Sequence, residues 1–354
     1  MANTGHAEVP ATTPTTPLGR LRLTLEGPPA QAQARHLTMP LVKQFCTVQT
    51  GEQYGRYCRD WRALTRCQLE VLERFPIDIV NVLGYPYREA GDLGLQVRFP
   101  DNAQPQVSGV LVERREDLHR LSWPDPRRSR LMSDRVHAIA RFKELRPDIV
   151  AMGACEAPFA LANTLMGIER AMTCLHDDPD LLRAVMEWIE PHAVEFARAQ
   201  VEAGADMVFM GDALASQVSP ETYIAHVLEI ETRVVGAIQS MGVPVRLHIC
   251  GDISPILPHV VGTGARFIDI DYPVDVRRAC GTATEVNPRS FVVGNIDPVS
   301  ILLHGTPAEV AAACRTCGSR AEGYANFIVA PGCEVPPHTP AANYQALIEH
   351  CAAV

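Results

Sequence analysis

The stretch of sequence that decides the fold is residues 203–252, AGADMVFMGDALASQVSPETYIAHVLEIETRVVGAIQSMGVPVRLHICGD. It contains two short apolar runs, 207–210 and 243–249, separated by a helical pattern over 221–240. Ser219 precedes a proline, a pair that is typical of a helix N-terminus. A strand, a helix and a second strand in this order predict a β-α-β unit with parallel strands.

The same alternation of apolar runs and helical patterns continues along most of the chain. Further helical patterns cover 180–202, 307–317 and 340–351. The eight predicted strands are 39–45, 77–83, 149–155, 207–210, 243–249, 266–270, 291–295 and 326–330. About eight such units predict a (β/α)8 TIM barrel, with a doubly wound open sheet as the alternative. Because no glycine-rich phosphate-binding loop follows a strand, a nucleotide-binding version has no support.

The chain divides into a tail and one catalytic domain. Residues 1–36 are expected to form a flexible tail without regular structure, because 10–17 is a low-complexity run of Pro, Thr and Ala. Residues 37–354 are expected to form the single barrel. Within the barrel, a long insertion is predicted over residues 84–125, with a hairpin around residues 95–99. No signal-peptide or membrane-span pattern occurs, so a cytoplasmic location is expected.

Composition limits the function classes. The 354 residues are 47% hydrophobic and 21% charged, and the net charge is −9. This balance supports a packed core and argues against nucleic-acid or anionic-membrane binding, although a local basic pocket could still hold a small anionic substrate. The eleven cysteines are odd in number and scattered, which does not fit a secreted disulfide scaffold. Most are expected to be buried, and a few are candidate metal ligands.

The predicted strands end in polar residues. The strand ends are Cys155-Glu156, Gly211-Asp212, His248-Ile249-Cys250-Gly251-Asp252, Ile268-Asp269-Ile270-Asp271, Gly294-Asn295-Ile296-Asp297 and Pro331-Gly332-Cys333-Glu334. In a barrel these C-terminal ends meet around one mouth, where catalytic residues are found. This convergence predicts an enzyme.

Three of these residues form a candidate metal site. His248 and Cys250 stand two apart, so on a strand both side chains point to the same side. Cys333 follows the last strand, which adjoins the first when a barrel closes. One histidine and two thiolates with a fourth position open are typical of a catalytic zinc site. Because two thiolates already cancel the charge of the metal, such a site suits the activation of a thiol for S-alkylation.

At these residues the sequence resembles the uroporphyrinogen decarboxylase superfamily, and within it the zinc-dependent corrinoid methyltransferases of the methylcobalamin:coenzyme M type. The signature is His-x-Cys, here His248-Ile249-Cys250, followed much later by Cys333. Further matching stretches are Glu156-Ala-Pro-Phe, Met166-Gly-Ile-Glu169, Glu202-Ala-Gly-Ala-Asp206, Gly211-Asp-Ala-Leu-Ala-Ser216 and Val293-Gly-Asn-Ile-Asp-Pro298. The resemblance runs from about residue 38 to the end.

The resemblance implies a barrel, zinc on His248, Cys250 and Cys333, and a methylated corrinoid as donor or acceptor. The methyl group would move between the corrinoid and a small thiol or thioether. No D-x-H-x-x-G cobalamin box occurs in the chain. The corrinoid is therefore expected on a separate protein partner or as free cobalamin.

Three alternatives stay open. A metal-free decarboxylase acting on a carboxylated tetrapyrrole is the first, although the chain keeps only Gly55-Arg56-Tyr57 of the arginine-rich N-terminal segment of decarboxylases. Pro331-Gly332-Cys333 also replaces their Gly-His-Gly turn. A homocysteine methyltransferase similar to the cobalamin-independent methionine synthases is the second. The third is a non-catalytic barrel that only binds a corrinoid or tetrapyrrole.

Other residues are assigned roles around the proposed mouth. Glu156 and Asp212 are the expected catalytic residues, as proton acceptor, fourth ligand or substrate anchor. Tyr85, Asn295 and Asp297 are the expected corrinoid-binding residues. Two further sets are supporting candidates: Asp269 with Asp271 as partners of the His248 ring, and His338 as a reserve ligand.

Overall fold

The structure, a computed structural model, describes residues 16–26 and 37–353. The strands are β1 (Ile79–Asn81), β2 (Gln96–Arg98), β3 (Gln106–Ser108), β4 (Val150–Glu156), β5 (Met207–Gly211), β6 (Val245–His248), β7 (Phe267–Asp269), β8 (Phe291–Ile296) and β9 (Phe327–Pro331). Seven of them form one parallel sheet in the order β1-β4-β5-β6-β7-β8-β9. The remaining two, β2 and β3, pair antiparallel within the insertion, so the predicted hairpin is confirmed.

Helices precede, connect and follow the strands of the sheet. They are α1 (Pro17–Glu26), α2 (Gln44–Thr50), α3 (Tyr54–Arg59), α4 (Trp61–Arg74), α5 (Arg88–Asp92), α6 (Met132–Leu145), α7 (Pro158–Met166), α8 (Ile168–Asp177), α9 (Pro179–Glu202), α10 (Pro220–Thr222), α11 (Leu228–Gln239), α12 (Leu257–Gly262), α13 (Val276–Val286), α14 (Pro307–Arg320) and α15 (Ala341–Cys351). Short 3-10 helices cover Arg115–Arg120 and Ala215–Gln217, and π-helical turns cover Tyr223–Val227 and Pro298–Leu303.

Local sequence signals explain where several helices begin and end. The Ser219 hydroxyl accepts a hydrogen bond from the Thr222 amide at the start of α10. Thr306 and Glu309 form a reciprocal capping box at the start of α14. After α9 the chain turns through Gly204, whose φ of +105° favours a residue without a side chain. The predicted helical patterns and seven of the eight predicted strands are confirmed, and the fold is a (β/α)8 barrel.

The prediction of a strand over 39–45 is wrong. Residues 37–42 have no regular secondary structure, and α2 begins at Gln44. The segment still joins the two ends of the sheet: the Asp78 amide donates to the Thr38 carbonyl before β1, and the Val335 amide donates to the Leu41 carbonyl after β9. Pro40 has no amide hydrogen, which interrupts any regular ladder at this place. The eighth position of the barrel is therefore closed by an irregular segment.

The expected tail is partly helical. Pro17–Glu26 forms α1, in which Leu21 is 2% exposed, and the Leu18 amide donates to the Asp148 carbonyl. The Arg20 guanidinium also forms an ion pair with the buried Asp78 carboxylate. The prediction of a tail without regular structure is therefore wrong for α1, and its remaining residues, 1–15 and 27–36, lie outside the described part of the chain. Over the described residues, no helix is both long enough and apolar enough to cross a membrane.

Candidate metal centre

Four neighbouring strands end at one level of the sheet. Glu156 on β4 is in register with Gly211 on β5, Gly211 with His248 on β6, and His248 with Asp269 on β7. Polar residues that are far apart in the sequence are therefore neighbours at the C-terminal ends of the parallel strands. This is the mouth of the barrel, where βα loops of this architecture carry their sites.

His248, Cys250 and Cys333 converge at this mouth. The His248 Nε2 atom lies 3.1 Å from the Cys250 Sγ atom and 3.6 Å from the Cys333 Sγ atom, and the two sulfurs are 3.7 Å apart. Tetrahedral zinc, with bonds of ~2.3 Å to sulfur and ~2.0 Å to nitrogen, needs about 3.8 Å between sulfurs and about 3.5 Å between nitrogen and sulfur. The donor atoms therefore fit a zinc ion with little rearrangement, and the donor set of one imidazole and two thiols suits that metal.

The three ligands share protons in a defined way. The Cys250 thiol donates a hydrogen bond to Cys333, and this bond lowers the pKa of Cys333 to about 4. Burial acts against this shift, and the neighbouring His248 adds to it. Burial opposes protonation of His248, but the Asp269 carboxylate and the Cys333 sulfur outweigh it and raise the pKa of the imidazole to about 9. The hydrogen bond to Cys333 raises the pKa of Cys250. Because metal ligands must be deprotonated, binding of a cation here releases protons and tightens as the pH rises.

Asp269 orients the histidine ring. Its Oδ2 atom lies 2.9 Å from the His248 Nδ1 atom, so Nε2 is left to face the two sulfurs. The Arg246 Nε atom donates to the other carboxylate oxygen at 2.7 Å, and the Arg246 Nη1 atom donates to the Met39 carbonyl at 2.8 Å. The expected role of Asp269 as a partner of the His248 ring is confirmed, and a carboxylate on a ligating imidazole fixes its orientation and basicity.

Asp271 does not contact the imidazole. Its carboxylate accepts hydrogen bonds from the Gly251 amide at 2.9 Å and from the Tyr272 amide at 2.8 Å. Gly251 has a φ of +84°, and this left-handed turn directs the chain away immediately after Cys250. Asp271 therefore holds the loop that presents Cys250, and its predicted place beside the His248 ring is wrong.

The Cys333 loop is tied to the start of α2. The Lys43 Nζ atom lies 2.7 Å from the Glu334 Oε2 atom, next to Cys333 in the sequence. Burial lowers the pKa of Lys43, but the neighbouring Glu334 carboxylate outweighs it, and the pKa is raised overall. Lys43, which directly follows the irregular segment that closes the barrel, therefore holds the loop of the third ligand.

A cavity of about 300 Å³ opens beside the ligands. His248, Cys250, Cys333, Glu156 and Tyr85 are the predicted site residues that line it. The predicted site residues Asp212, Asn295 and Asp297 are not among its lining residues. His338, the expected reserve ligand, is exposed and is not part of the ligand cluster, which the described residues limit to one histidine and two cysteines.

The three residues outside the cavity have structural environments. The Asn295 side-chain amide nitrogen donates to the Asp271 and Val274 carbonyls. The Cys317 thiol donates to the side-chain oxygen of Asn295. The Asp297 carboxylate caps the π-helical turn Pro298–Leu303 by accepting from two of its amides. Asp212 is fully buried, and neither carboxylate oxygen has a hydrogen-bond partner. Burial and the nearby Glu231 raise its pKa, which favours a protonated, uncharged carboxyl group.

Glu156 shares the cavity wall with a second acid that sequence reasoning missed. The Glu89 carboxylate accepts a hydrogen bond from the Glu156 amide at 3.0 Å. Burial raises the pKa of Glu156, and the Glu89 charge raises it further. Burial also raises the pKa of Glu89. Two buried acids of raised pKa in one cavity are typical of groups that exchange protons with a ligand.

Sequence reasoning also missed Arg88, Lys43 and Arg246. The first two line the cavity, and the third holds Asp269. A signal existed for Arg88 and Glu89, which are charged neighbours shortly after the end of a predicted strand. No comparable signal marks Arg246, which lies within a strand and is 0% exposed.

Comparison with known proteins places the chain in a family. The family model "Uroporphyrinogen decarboxylase (URO-D)" matches residues 36–354. The chain is 28% identical over 329 residues to a methylcobamide:CoM methyltransferase from Methanosarcina acetivorans, covering 88% of this chain and 92% of the relative. It is 26% identical over 327 residues to a uroporphyrinogen decarboxylase from Acidiphilium cryptum, covering 84% of this chain and 87% of the relative.

The fold has a close match among solved structures. A methyltransferase from Methanosarcina mazei superposes with a TM-score of 0.85 at 21% sequence identity, over 95% of this chain and 98% of that chain. The match therefore extends over nearly the whole of both molecules. Since the family model covers all but the first 35 residues, the chain belongs to the uroporphyrinogen decarboxylase (URO-D) family.

Proposed function

We propose that this chain is a zinc-dependent methyltransferase that moves a methyl group between a corrinoid and a small thiol or thioether. The observation that carries the proposal is the convergence of the His248 Nε2 atom and the Cys250 and Cys333 sulfurs on one side of a ligand-sized cavity. The similarity to a methylcobamide:CoM methyltransferase over 88% of the chain supports the same reaction class.

His248, Cys250 and Cys333 would hold the zinc ion. Zinc in a site with two thiolates lowers the pKa of an incoming thiol and leaves its sulfur nucleophilic. Asp269 keeps the His248 Nε2 atom facing the two sulfurs, since it occupies the Nδ1 atom of the same ring. The ligand loops are held separately, by Asp271 for Cys250 and by the Lys43–Glu334 ion pair for Cys333.

Glu156 and Glu89 are the proposed acceptors of the thiol proton. Glu156 lines the cavity that contains the three ligands, and Glu89 lies beside it. Because burial raises the pKa of both carboxyl groups, either can take up a proton near neutral pH more readily than an exposed carboxylate. Asp212 is assigned no contact with substrate, since it does not line the cavity.

The corrinoid is proposed to approach the mouth from outside. A cavity of about 300 Å³ suits a small thiol and is small for a corrin macrocycle with its side chains. A methylated corrinoid at the mouth would supply the methyl group to the thiol sulfur, and a reduced corrinoid would accept it from a thioether in the reverse direction. Tyr85 is the candidate for contact with the corrinoid edge, while Asn295 and Asp297 would act only through the loops that they hold.

The test combines metal analysis with a methyl-transfer assay. Purified protein should contain about one zinc per chain, and it should convert methylcobalamin and a thiol to cob(I)alamin and the methyl thioether. Cys333→Ala should lose both the zinc and the transfer. Cys280→Ala, which removes another buried cysteine from α13, is the matched control and should keep both.

Two results would contradict the proposal. Transfer at full rate by zinc-free protein would exclude the thiol-activating role of the ligand cluster. Release of carbon dioxide from a carboxylated tetrapyrrole, unaffected by Cys333→Ala, would instead assign the chain to the decarboxylases, which are also among its relatives.

A further inference from the structure

A fully buried arginine lies two residues before the first metal ligand. Arg246 and His248 are both on β6, so their side chains point to the same side of the sheet. His248 lines the cavity at the mouth, which places Arg246 one layer deeper in the barrel interior, where it is 0% exposed. Branched apolar side chains usually fill that interior, so a guanidinium group there needs a physical reason.

Stability alone does not explain the buried ion pair of this arginine. The Arg246 Nε atom donates to the Asp269 Oδ1 atom at 2.7 Å, and the two side chains are 1% and 4% exposed. Taking two charges out of water costs about as much as their attraction returns, and packed apolar residues often replace such a pair without loss. The Arg246 Nη2 atom is also buried without a hydrogen-bond partner among the described residues. The contact therefore points to a role in geometry.

Both oxygens of the Asp269 carboxylate have a fixed partner. The Oδ1 atom accepts from Arg246, and the Oδ2 atom lies 2.9 Å from the His248 Nδ1 atom. His248 and Asp269 are in register on β6 and β7, whereas Arg246 is one layer below. The carboxylate cannot turn without breaking one of the two contacts. Arg246 therefore limits the directions in which Asp269 can present itself to the imidazole.

The same guanidinium group reaches across the barrel. The Arg246 Nη1 atom donates to the Met39 carbonyl at 2.8 Å. Met39 belongs to the irregular segment 37–42, which lies between β9 and β1. In the order of the sheet, β6 is the fourth strand from this segment in either direction, so the two are on opposite sides of the barrel. One side chain therefore connects the support of the metal centre to the place where the barrel closes.

Met39 is a firm anchor for this connection. The Thr38 amide and hydroxyl donate to the Asp78 carboxylate at 2.8 and 3.0 Å, on the β1 side of the segment. The Val335 amide donates to the Leu41 carbonyl at 2.9 Å, on the β9 side. Met39 itself is 1% exposed. Since the segment is held on both sides, the Met39 carbonyl offers the guanidinium group a fixed acceptor.

We propose that Arg246 is a positioning residue of the metal centre, which holds the Asp269 carboxylate, and through it the His248 ring, against the segment that closes the barrel. The inference rests on the metal centre of the proposed function. It goes beyond that function, because metal affinity then depends on a residue that does not line the cavity. Arginine suits this role because its Nε and Nη1 atoms donate to two separate acceptors, whereas lysine has a single nitrogen.

Zinc affinity of the purified chain, measured by competition with a chromogenic chelator, tests the inference without any methyl transfer. Arg246→Met keeps an unbranched side chain but removes both donors, and it should weaken zinc binding at least about tenfold. Arg135→Met is the matched control. Arg135 is also 0% exposed, and it donates to one carboxylate, that of Asp134, and to one backbone carbonyl, that of Cys58. This control should lose stability in urea but keep the zinc affinity of the wild type.

A double-mutant cycle shows whether Arg246 acts through Asp269. Asp269→Asn already disturbs the carboxylate that Arg246 holds, so adding Arg246→Met should weaken zinc binding by less than about twofold more. If the losses of the two single variants multiply in the double variant, Arg246 does not act through Asp269, and the inference is overturned.

Cobalt(II) in place of zinc reports the geometry of the ligands, which a general loss of stability would not change. The wild type should show the intense visible bands of tetrahedral cobalt together with thiolate-to-cobalt absorption. At saturating cobalt, Arg246→Met should shift or weaken the visible bands, because the His248 ring loses its orientation. Arg135→Met should give the spectrum of the wild type. Identical spectra of wild type and Arg246→Met would contradict a positioning role.

The outcomes separate this inference from the proposed function. Equal zinc affinity of wild type and Arg246→Met overturns the positioning role and leaves the methyltransferase in place. If Arg246→Met does not fold, Arg246→Lys decides: a loss of at least about threefold is expected, and an unchanged affinity overturns the inference. Zinc affinity that depends on Arg246, without methyl transfer to any thiol by the wild type, would support the positioning role and contradict the methyltransferase. A wild type that binds no zinc would contradict both.

Discussion

Asp269 contacts His248 at 2.9 Å through the ring nitrogen that faces away from Cys250 and Cys333. The two residues lie side by side on β6 and β7, in register. The same carboxylate also forms a buried ion pair with Arg246 at 2.7 Å. The orientation of the histidine ligand therefore depends on one strand-to-strand contact, whereas the loops of the two cysteines are held by other residues.

Asp269→Asn should weaken metal binding by roughly 10- to 100-fold, since the amide keeps the shape of the carboxylate but not its charge. Competition with a chromogenic chelator measures this affinity. Asp252→Asn is the control, because Asp252 lies in the loop after Cys250 with an exposed side chain that accepts a hydrogen bond from the Ser254 amide. Equal affinities for the two variants would show that Asp269 does not support the ligand.

Removal of the metal should leave the chain folded. The ligand cluster lies at the ends of the strands, whereas the buried core extends through the sheet and its surrounding helices. After chelation and dialysis, the far-UV circular dichroism at 25 °C should match that of the untreated protein, while methyl transfer should be lost. Loss of helical signal on chelation would instead indicate a metal that the fold itself requires.

Glu231→Gln should alter how stability depends on pH. Burial raises the pKa of Glu231 to about 7 in the folded chain, and the Tyr223 hydroxyl, which donates to it, opposes the shift. Because the folded pKa lies above the unfolded one, the wild type loses stability as the pH rises from about 4.5 through about 7, on the order of 3 kcal/mol. Glutamine can still accept the Tyr223 hydrogen bond, so the variant should lack this loss.

Thermal melting of wild type and Glu231→Gln at pH 4.5 and pH 8 measures the effect. The advantage of the variant should be larger at pH 8. Glu229→Gln, an exposed change on the same helix, should not reproduce the trend. A constant difference between the two proteins at both pH values would contradict the raised pKa.

Leu21→Ala should destabilise the protein by about 3 kcal/mol, a usual cost for truncating a buried leucine. The reason is that α1 packs on the barrel, with Leu21 2% exposed. Urea unfolding followed by circular dichroism measures the loss. Arg22→Ala, at the exposed neighbouring position of the same helix, should change stability by less than about 0.5 kcal/mol. Equal stability of both variants would mean that α1 does not contribute to the core.

Sequence patterns within short stretches determined much of the fold of this protein. The alternation of apolar runs and helical patterns predicted seven strands of the barrel, because one β-α-β unit needs only local sequence to form. The two-residue spacing of His248 and Cys250 predicted a shared direction, since side chains on a strand alternate. The number of parallel strands predicted a barrel, and in a barrel the polar ends of the strands meet at one mouth.

Only the tertiary structure decided which of those polar residues reach the cavity. Asp212, Asn295 and Asp297 stand at strand ends as Glu156 does, yet none of the three lines the cavity. Both carboxylate oxygens of Asp212 are buried, the Asn295 side-chain amide donates to a loop carbonyl, and the Asp297 carboxylate caps a helical turn. The irregular closure at 37–42 likewise depends on hydrogen bonds to residues at both ends of the sheet.

The unpaired state of Arg88 is the clearest case. In the sequence, Arg88 and Glu89 are two neighbouring charges of opposite sign, a pattern that predicts exposed side chains at the start of a helix. Burial, the Tyr85 ring and the absence of a carboxylate partner within the described chain are properties of packing between distant segments. Sequence determines which charges exist, whereas the free energy of each charge depends on the neighbours that the fold provides.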